Sequence, residues 1–130
     1  MESPAKSILV VDDEEPNRVL LSYRLTSEGY RVSTVGGGRE ALEMLRANRF
    51  DLILLDLMMP EMDGLATLDA IKSDPALDGV PVLMLTASNA RESIVHCLSI
   101  GAADYVIKPI DAAELRRRVQ RQLPPCDRPD

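Results

Sequence analysis

Residues 50–60 read FDLILLDLMMP, an apolar run that ends on a single carboxylate, Asp56. Because residues 52–55 do not alternate with polar side chains, the run is typical of a strand buried on both faces in a parallel sheet. An ionised carboxylate at the end of such a strand is costly unless a neighbouring group pairs with it. Open α/β sheets also place their ligand sites at the carboxyl ends of their strands. Asp56 is therefore either a structural cap for the following turn or the centre of an active site.

The composition predicts a single globular domain. The chain has 130 residues, of which 45% are hydrophobic, and its net charge of -6 argues against direct nucleic-acid binding. We expect no membrane span, because no apolar run reaches about 18 residues, and no signal peptide, because the N-terminus lacks a long apolar segment. Cys97 and Cys126 do not have metal-binding spacing, so a reduced cytoplasmic setting is expected.

Five strand-like segments alternate with five helical segments along the chain. This order predicts an α/β fold, a doubly wound five-stranded parallel sheet with right-handed crossovers and helices on both faces. The third strand is the run that ends at Asp56, and the others are expected at residues 7–11, 31–35, 80–85 and 103–107. Apolar helical stripes are predicted at Val19, Leu20, Tyr23 and Leu25 in the first helix, and at Ile94, Val95, Leu98 and Ile100 in the fourth.

Polar side chains follow four of the predicted strands: Asp12 and Asp13, Asp56, Thr86, and Lys108. In a parallel sheet these positions share one edge, so three carboxylates, one hydroxyl and one ammonium should meet there. Carboxylates raise one another's pKa, and a divalent cation such as Mg²⁺ relieves the conflict. Lys and Thr suit phosphoryl oxygens, and an Asp can act as a nucleophile. The set predicts phosphoryl transfer to Asp56.

Each of these residues also has an ordinary structural interpretation. The acidic pair could begin a turn, Thr86 could be a satisfied hydroxyl, and Lys108 a solvated lysine. Tyr105, which precedes Lys108 on the predicted fifth strand, could likewise be a core or surface aromatic. Their joint occurrence at four strand ends favours the site. We assign no role to His96, and the run Gly36-Gly37-Gly38 lacks the Gly-Lys-Ser/Thr of a nucleotide loop. The arginines at 116–118 and 121 fit a solvated helix face, with a partner or dimer surface as the alternative.

Four motifs resemble the receiver domain of two-component response regulators: VDDE at 11–14, LDLMMPEMDG at 55–64, LTA at 85–87 and GAADYVIKP at 101–109. The resemblance implies the flavodoxin-like receiver fold. It runs from Ser7 to Leu123, so we predict a receiver domain at 1–123 and a Pro-rich tail or linker to an output domain at 124–130.

The resemblance also implies roles for individual residues. Asp56 would be the phosphoacceptor, and Mg²⁺ would be held by Asp12, Asp13, Asp56 and the backbone carbonyl of Met58. Thr86 and Lys108 would bind the phosphoryl group, Thr86 and Tyr105 would form the switch, and the Lys108–Pro109 peptide would be cis. A sensor histidine kinase or phosphotransfer protein would donate phosphate from a phosphohistidine.

We therefore expect a signalling switch that assists its own phosphorylation and dephosphorylation, and not a turnover enzyme. Phosphate on Asp56 would change the surface of the fourth helix, fifth strand and fifth helix, which a fused or separate output domain would read. We expect a monomer at rest and, on phosphorylation, at most weak, salt-sensitive dimerisation through Arg118 and its neighbours. A haloacid-dehalogenase-type phosphatase is disfavoured because Met58 stands where that family has its acid/base Asp. A flavin-binding protein of the same fold is disfavoured because no phosphate loop follows the first strand.

Overall fold

Five parallel strands form one sheet in the computed structural model, which describes residues 5–59, 62–87 and 91–123. The strands lie in the order β2-β1-β3-β4-β5, which confirms the predicted doubly wound α/β fold. The elements in chain order are β1 (Ser7–Val11), α1 (Glu15–Ser27), β2 (Arg31–Val35), α2 (Gly38–Ala47), β3 (Leu52–Asp56), α3 (Gly64–Lys72), β4 (Val82–Ala87), α4 (Arg91–Ile100), β5 (Asp104–Lys108) and α5 (Ala112–Gln122).

The central strand β3 is buried along its whole length, as its unbroken apolar run predicts. Its side chains alternate between two cores. Leu52 and Leu54 face the core under α1 and α5, whereas Ile53 and Leu55 face the core under α2, α3 and α4. Burial on both faces holds the position of Asp56 at the carboxyl edge of the sheet.

The predicted apolar stripes of α1 and α4 were partly wrong. Leu21 and Leu25 are the buried residues of α1, while Tyr23 is 72% exposed and Val19 60%. Residues four apart share one face of a helix, so the Leu21–Leu25 pair that contacts the sheet leaves the other apolar side chains facing outward. In α4 the same geometry buries Cys97 and exposes Val95 and Leu98.

Helices α1 and α5 begin or end at the residues that the sequence predicts for helix termini. Pro16 lies in the first turn of α1, Gly29 has a φ of 98° just beyond its end, and the Asp111 carboxylate accepts a hydrogen bond from the Glu114 amide. The Lys108–Pro109 peptide is cis, as expected. The proposed tail at 124–130 lies outside the described residues, and within them no helix is long and apolar enough to cross a membrane.

The glycine run that precedes α2 has a packing explanation. A Cβ atom on Gly38 would lie 2.1 Å from the Thr67 hydroxyl oxygen, so the start of α2 approaches α3 too closely for any side chain. Thr67 is fully buried and donates its hydroxyl to the Asp63 carbonyl at 2.9 Å. Gly38 therefore serves a helix–helix contact.

Candidate functional site

Three carboxylates meet where the strand order reverses, between β1 and β3. Asp12 follows β1 and Asp56 ends β3, and both are almost completely buried, whereas Asp13 is exposed. One carboxylate oxygen from each of the three lies within 4.8 Å of the others. The crevice at such a reversal is the usual ligand site of a doubly wound sheet. The predicted acidic cluster is therefore present.

Asp12 is held by hydrogen bonds from several directions. Its backbone amide donates to the Val35 carbonyl at 3.2 Å, and its Oδ1 accepts from the Glu14 amide at 3.0 Å. The guanidinium of Arg18 donates to its backbone carbonyl at 2.8 Å. These contacts leave Oδ2 directed toward Lys108, whose ammonium lies 3.4 Å away.

Lys108 joins the two buried carboxylates. Its Nζ lies 3.2 Å from Asp56 Oδ1 as well as 3.4 Å from Asp12 Oδ2, although the three residues come from three different strand ends. Burial lowers the pKa of Lys108, but the charges of Asp56 and Asp12 outweigh it, so its pKa is raised above the ordinary value. The ammonium thus stays charged in the crevice.

The surroundings of Asp56 strongly raise its pKa. Burial, and then the negative charge of Asp12, raise the pKa of Asp56 from 3.8 to about 6, even though Lys108 and a 3.2 Å hydrogen bond from the Met58 amide oppose the shift. The cluster also sets three carboxylates against the single ammonium of Lys108. The oxygen donors, together with the solvent access at Asp13, fit a hard divalent cation that keeps part of its water shell.

Thr86 lies on β4 and Tyr105 on β5, and none of the hydrogen bonds described for their side chains reaches the three carboxylates. Thr86 follows Leu85, the register partner of Asp56, and its buried hydroxyl donates to the Ala87 carbonyl at 3.3 Å. Tyr105 is half-buried opposite Met84 on β4, with the Arg118 guanidinium 5.2 Å from the centre of its ring. Met58 places its amide on Asp56 while its side chain is 69% exposed.

Arg118 is engaged inside the domain. It contacts the carboxylate of Asp104, and its Nε donates to Glu114 at 2.7 Å. Asp104 also accepts from the Tyr105 amide at 2.8 Å and lies 3.4 Å from Arg121. The spacing of Glu114 and Arg118 was readable in the helix, but the link from α5 to β5 was not.

Gly64 is a site residue that sequence reasoning did not single out. A Cβ atom there would lie 2.2 Å from the Asp56 carbonyl oxygen and 2.6 Å from the Leu57 Cα, and its amide donates to the Leu57 carbonyl at 2.9 Å. The start of α3 therefore packs directly on the backbone that carries Asp56. The signal was present in the motif at 55–64, which ends on this glycine.

Comparison with known proteins gives a consistent picture. The chain is 44% identical over 117 residues to transcriptional regulatory protein ZraR of Escherichia coli K12, covering 89% of this chain and 26% of that protein. It is 45% identical over 113 residues to response regulator PleD of Caulobacter vibrioides NA1000 / CB15N, covering 87% and 25%. The chain thus spans about a quarter of the length of these curated relatives.

Solved structures show the same fold. The chemotaxis protein CheY4 of Vibrio cholerae superposes with a TM-score of 0.87 at 34% identity, covering 92% of this chain and 99% of that one. This chain is also similar to the receiver domain of a sensor histidine kinase from Pseudomonas aeruginosa PAO1, which was solved with a magnesium ion coordinated in its active site cleft. The TM-score is 0.83 at 35% sequence identity, and the match covers 91% of this chain and 97% of that one. A family model described as the response regulator receiver domain matches residues 8–120. With this match over most of its length, and with the fold and strand-end residues described above, the chain belongs to the response regulator receiver domain family.

Proposed function

We propose that this domain is a phosphoacceptor switch in which Asp56 takes a phosphoryl group from the phosphohistidine of a sensor histidine kinase or phosphotransfer protein. The observation that carries the proposal is the setting of Asp56. It is a buried carboxylate that ends the central strand, is opposed by Asp12 and is paired with Lys108 at 3.2 Å. A perturbed acid in a cleft at a topological switch point is a strong candidate for the reacting group.

The transfer needs Asp56 as a carboxylate. One of its oxygens attacks phosphorus, the P–N bond to the imidazole breaks, and the electron pair returns to the imidazole nitrogen, leaving an aspartyl phosphate. Lys108 already contacts Asp56 and exchanges this contact for a phosphoryl oxygen as charge moves there. The chain assists its own phosphorylation in this way. In dephosphorylation, water attacks the same phosphorus, the bond to Asp56 breaks, and inorganic phosphate leaves the regenerated carboxylate, so no other substrate is turned over.

Mg²⁺ would be held by Asp12, Asp13, Asp56 and the backbone carbonyl of Met58. When bound, the ion neutralises charge between the carboxylates and the incoming phosphoryl group. The mutual approach of the three carboxylates supports this assignment, as does the magnesium in the Pseudomonas relative.

The response to phosphate runs through Thr86 and Tyr105. The Thr86 hydroxyl gives up the Ala87 carbonyl and donates to a phosphoryl oxygen, which opens space for Tyr105 to turn inward and away from Arg118. The surface of α4, β5 and α5 changes, and a partner reads it. Moving such a switch from 1:99 to 99:1 requires about 5.5 kcal/mol of differential stabilisation.

The reader of that surface is a fused or separate output domain. We assign residues 1–123 to the receiver and 124–130 to a tail or linker, and the much greater length of ZraR and PleD supports an output region. The net charge of -6 supports an output other than direct nucleic-acid binding by the receiver itself. A cytoplasmic location, where kinase phosphohistidine is formed, accompanies this function.

Acetyl phosphate with Mg²⁺ should add one phosphoryl group to the protein, as measured by intact-protein mass spectrometry. Excess EDTA should prevent the addition, because an anionic donor would then approach three carboxylates and a single ammonium. Restoring Mg²⁺ after EDTA should restore labelling. Labelling that persists undiminished in EDTA would contradict the metal-assisted mechanism.

The oligomeric state provides a second test. We expect a resting monomer and, with beryllofluoride, at most weak dimerisation through Arg118 and its neighbours that weakens as salt rises. Arg118 is already satisfied by Asp104 and Glu114, so an intermolecular pair would replace existing contacts, and exposed ion pairs contribute only about 0–1 kcal/mol. Sedimentation at low and high salt measures this.

Arg46→Ala is the matched control, since it removes the same charge at an exposed position of α2, outside the surface of α4, β5 and α5. Arg118→Ala should reduce activated dimerisation more than Arg46→Ala does. A tight resting dimer, or an activated dimer indifferent to Arg118→Ala, would show that another face is used.

A further inference from the structure

We propose that Arg18 is a positioning residue that holds the backbone of the acidic loop so that Asp12 and Asp13 are presented to a divalent cation. The inference rests on the proposed function of the cluster. It adds a basic residue of α1 that touches neither the cation nor the phosphoryl group and acts through the Asp12 backbone. Arg18 belongs to none of the four motifs from which the site was predicted.

The central contact is the hydrogen bond from Arg18 Nη1 to the Asp12 carbonyl oxygen, at 2.8 Å. Arg18 is half-buried near the start of α1, so its side chain runs back along the helix toward the end of β1. A charged donor makes a stronger hydrogen bond than a neutral one, particularly where water is partly excluded. The contact therefore resists rotation of the peptide that joins Asp12 to Asp13.

A second observation places the guanidinium between two loops of the site. A Cβ atom on Gly36 would lie 3.3 Å from Arg18 Nη1, so the side chain fills the space against the loop that follows β2. From the neighbouring strand end, the Val35 carbonyl accepts the Asp12 amide at 3.2 Å. The Asp12 backbone is thus held at its amide by β2 and at its carbonyl by α1.

Holding the backbone fixes where the side chains can go. With the peptide restrained and Oδ1 bonded to the Glu14 amide, Asp12 Oδ2 faces Lys108. Asp13 has no such side-chain restraint in the described contacts, and its approach to Asp12 and Asp56 depends on the same loop. Outer residues that orient metal ligands in this manner commonly change metal affinity 10- to 100-fold when removed.

Whether Mg²⁺ binding weakens or tightens when Arg18 is replaced distinguishes a positioning role from a purely electrostatic one. The positive charge of Arg18 by itself repels Mg²⁺, so if charge alone mattered, its removal would tighten binding. If positioning matters more, Arg18→Met weakens Mg²⁺ binding, by about tenfold. Calorimetric titration with Mg²⁺ measures the affinity, and the Mg²⁺-induced rise in the thermal midpoint reports it independently of the stability of the metal-free variant.

Arg24→Met is the matched control. It removes the same charge from the same helix about 9 Å further along, where the side chain makes a long hydrogen bond of 3.5 Å to the Ile110 carbonyl. Its Mg²⁺ affinity should equal or slightly exceed that of the wild type. Arg18→Lys keeps the charge and one donor and should recover most of the affinity. If Arg18→Met prevents folding, Arg18→Gln repeats the test with a neutral polar side chain.

Two failures can be told apart. The role of Arg18 would be overturned if Arg18→Met bound Mg²⁺ as tightly as the wild type or more tightly, or if Arg24→Met lost as much Mg²⁺ affinity as Arg18→Met. In that case the wild type would still bind Mg²⁺ and gain phosphate. A wild-type protein that neither bound Mg²⁺ nor accepted phosphate from acetyl phosphate would instead overturn the proposed function, and the inference with it.

Discussion

Asp56→Asn should abolish the addition of phosphate from acetyl phosphate in the presence of Mg²⁺. The amide cannot act as the attacking carboxylate, and the two remaining acids, Asp12 and Asp13, come from a different strand end. The expected result is a single added phosphoryl group in the wild-type mass spectrum and none in the variant. Asp69→Asn, the same change on an exposed position of α3, should label like the wild type.

Asp56→Asn should also be more stable than the wild type at pH 8. A stable variant would show that its loss of labelling does not come from loss of folding. The pKa of Asp56 is raised in the folded protein, so the folded state favours the proton and the ionised form is the destabilised one. A rise from 3.8 to about 6 corresponds to about 3 kcal/mol at pH values above the folded pKa. Asn carries no charge and avoids this cost.

The increase in the free energy of unfolding of Asp56→Asn must depend on pH in one direction. It should be complete near pH 8, shrink as pH falls through 6, and vanish below about 4, where the Asp56 carboxyl of the wild type is protonated in both the folded and the unfolded state. Denaturant unfolding in EDTA at several pH values measures it. Phosphate addition that survives in Asp56→Asn would assign the acceptor elsewhere, and a gain that is independent of pH would contradict the role of ionisation.

Gly64→Ala should destabilise the fold by about 3 kcal/mol and impair phosphorylation of the protein that remains folded. The new methyl group would lie 2.2 Å from the Asp56 carbonyl oxygen and 2.6 Å from the Leu57 Cα. Both neighbours are backbone atoms of the central strand end, so neither can rotate away. Relief requires α3 or the Asp56 peptide to move.

Gly79→Ala is the control for the glycine substitution itself. A Cβ atom there meets nothing within 4 Å, so this variant should be neutral or stabilised by up to about 1 kcal/mol. Chemical unfolding of both variants gives the comparison. If Gly64→Ala unfolds within about 1 kcal/mol of the wild type, the close approach is more yielding than the distances indicate.

The fold, and the residues that meet at the site, could be predicted from short stretches of the sequence. The apolar run at 52–55 needs burial on both faces, and a parallel order forces all strand ends to one edge. For that reason Asp12, Asp56 and Lys108 could be assigned to one crevice from their positions alone. The three groups do meet there.

The outward faces of the helices were less predictable. α1 carries apolar residues around much of its circumference, so periodicity did not reveal which of them contact the sheet. Packing selects Leu21 and Leu25 and leaves Tyr23 exposed. The periodicity of apolar residues within one helix carries no information about the surface that the helix will contact.

The sequence by itself determined the order of elements, the parallel sheet and the residues that end its strands, because each depends on short stretches of chain. Only the tertiary structure decided the pairings: Lys108 with two carboxylates, Arg118 with Asp104, Arg18 with the Asp12 carbonyl. It also decided how closely Gly64 approaches Asp56. These contacts depend on distances and side-chain directions between segments far apart in the chain, and neither spacing nor periodicity encodes such distances.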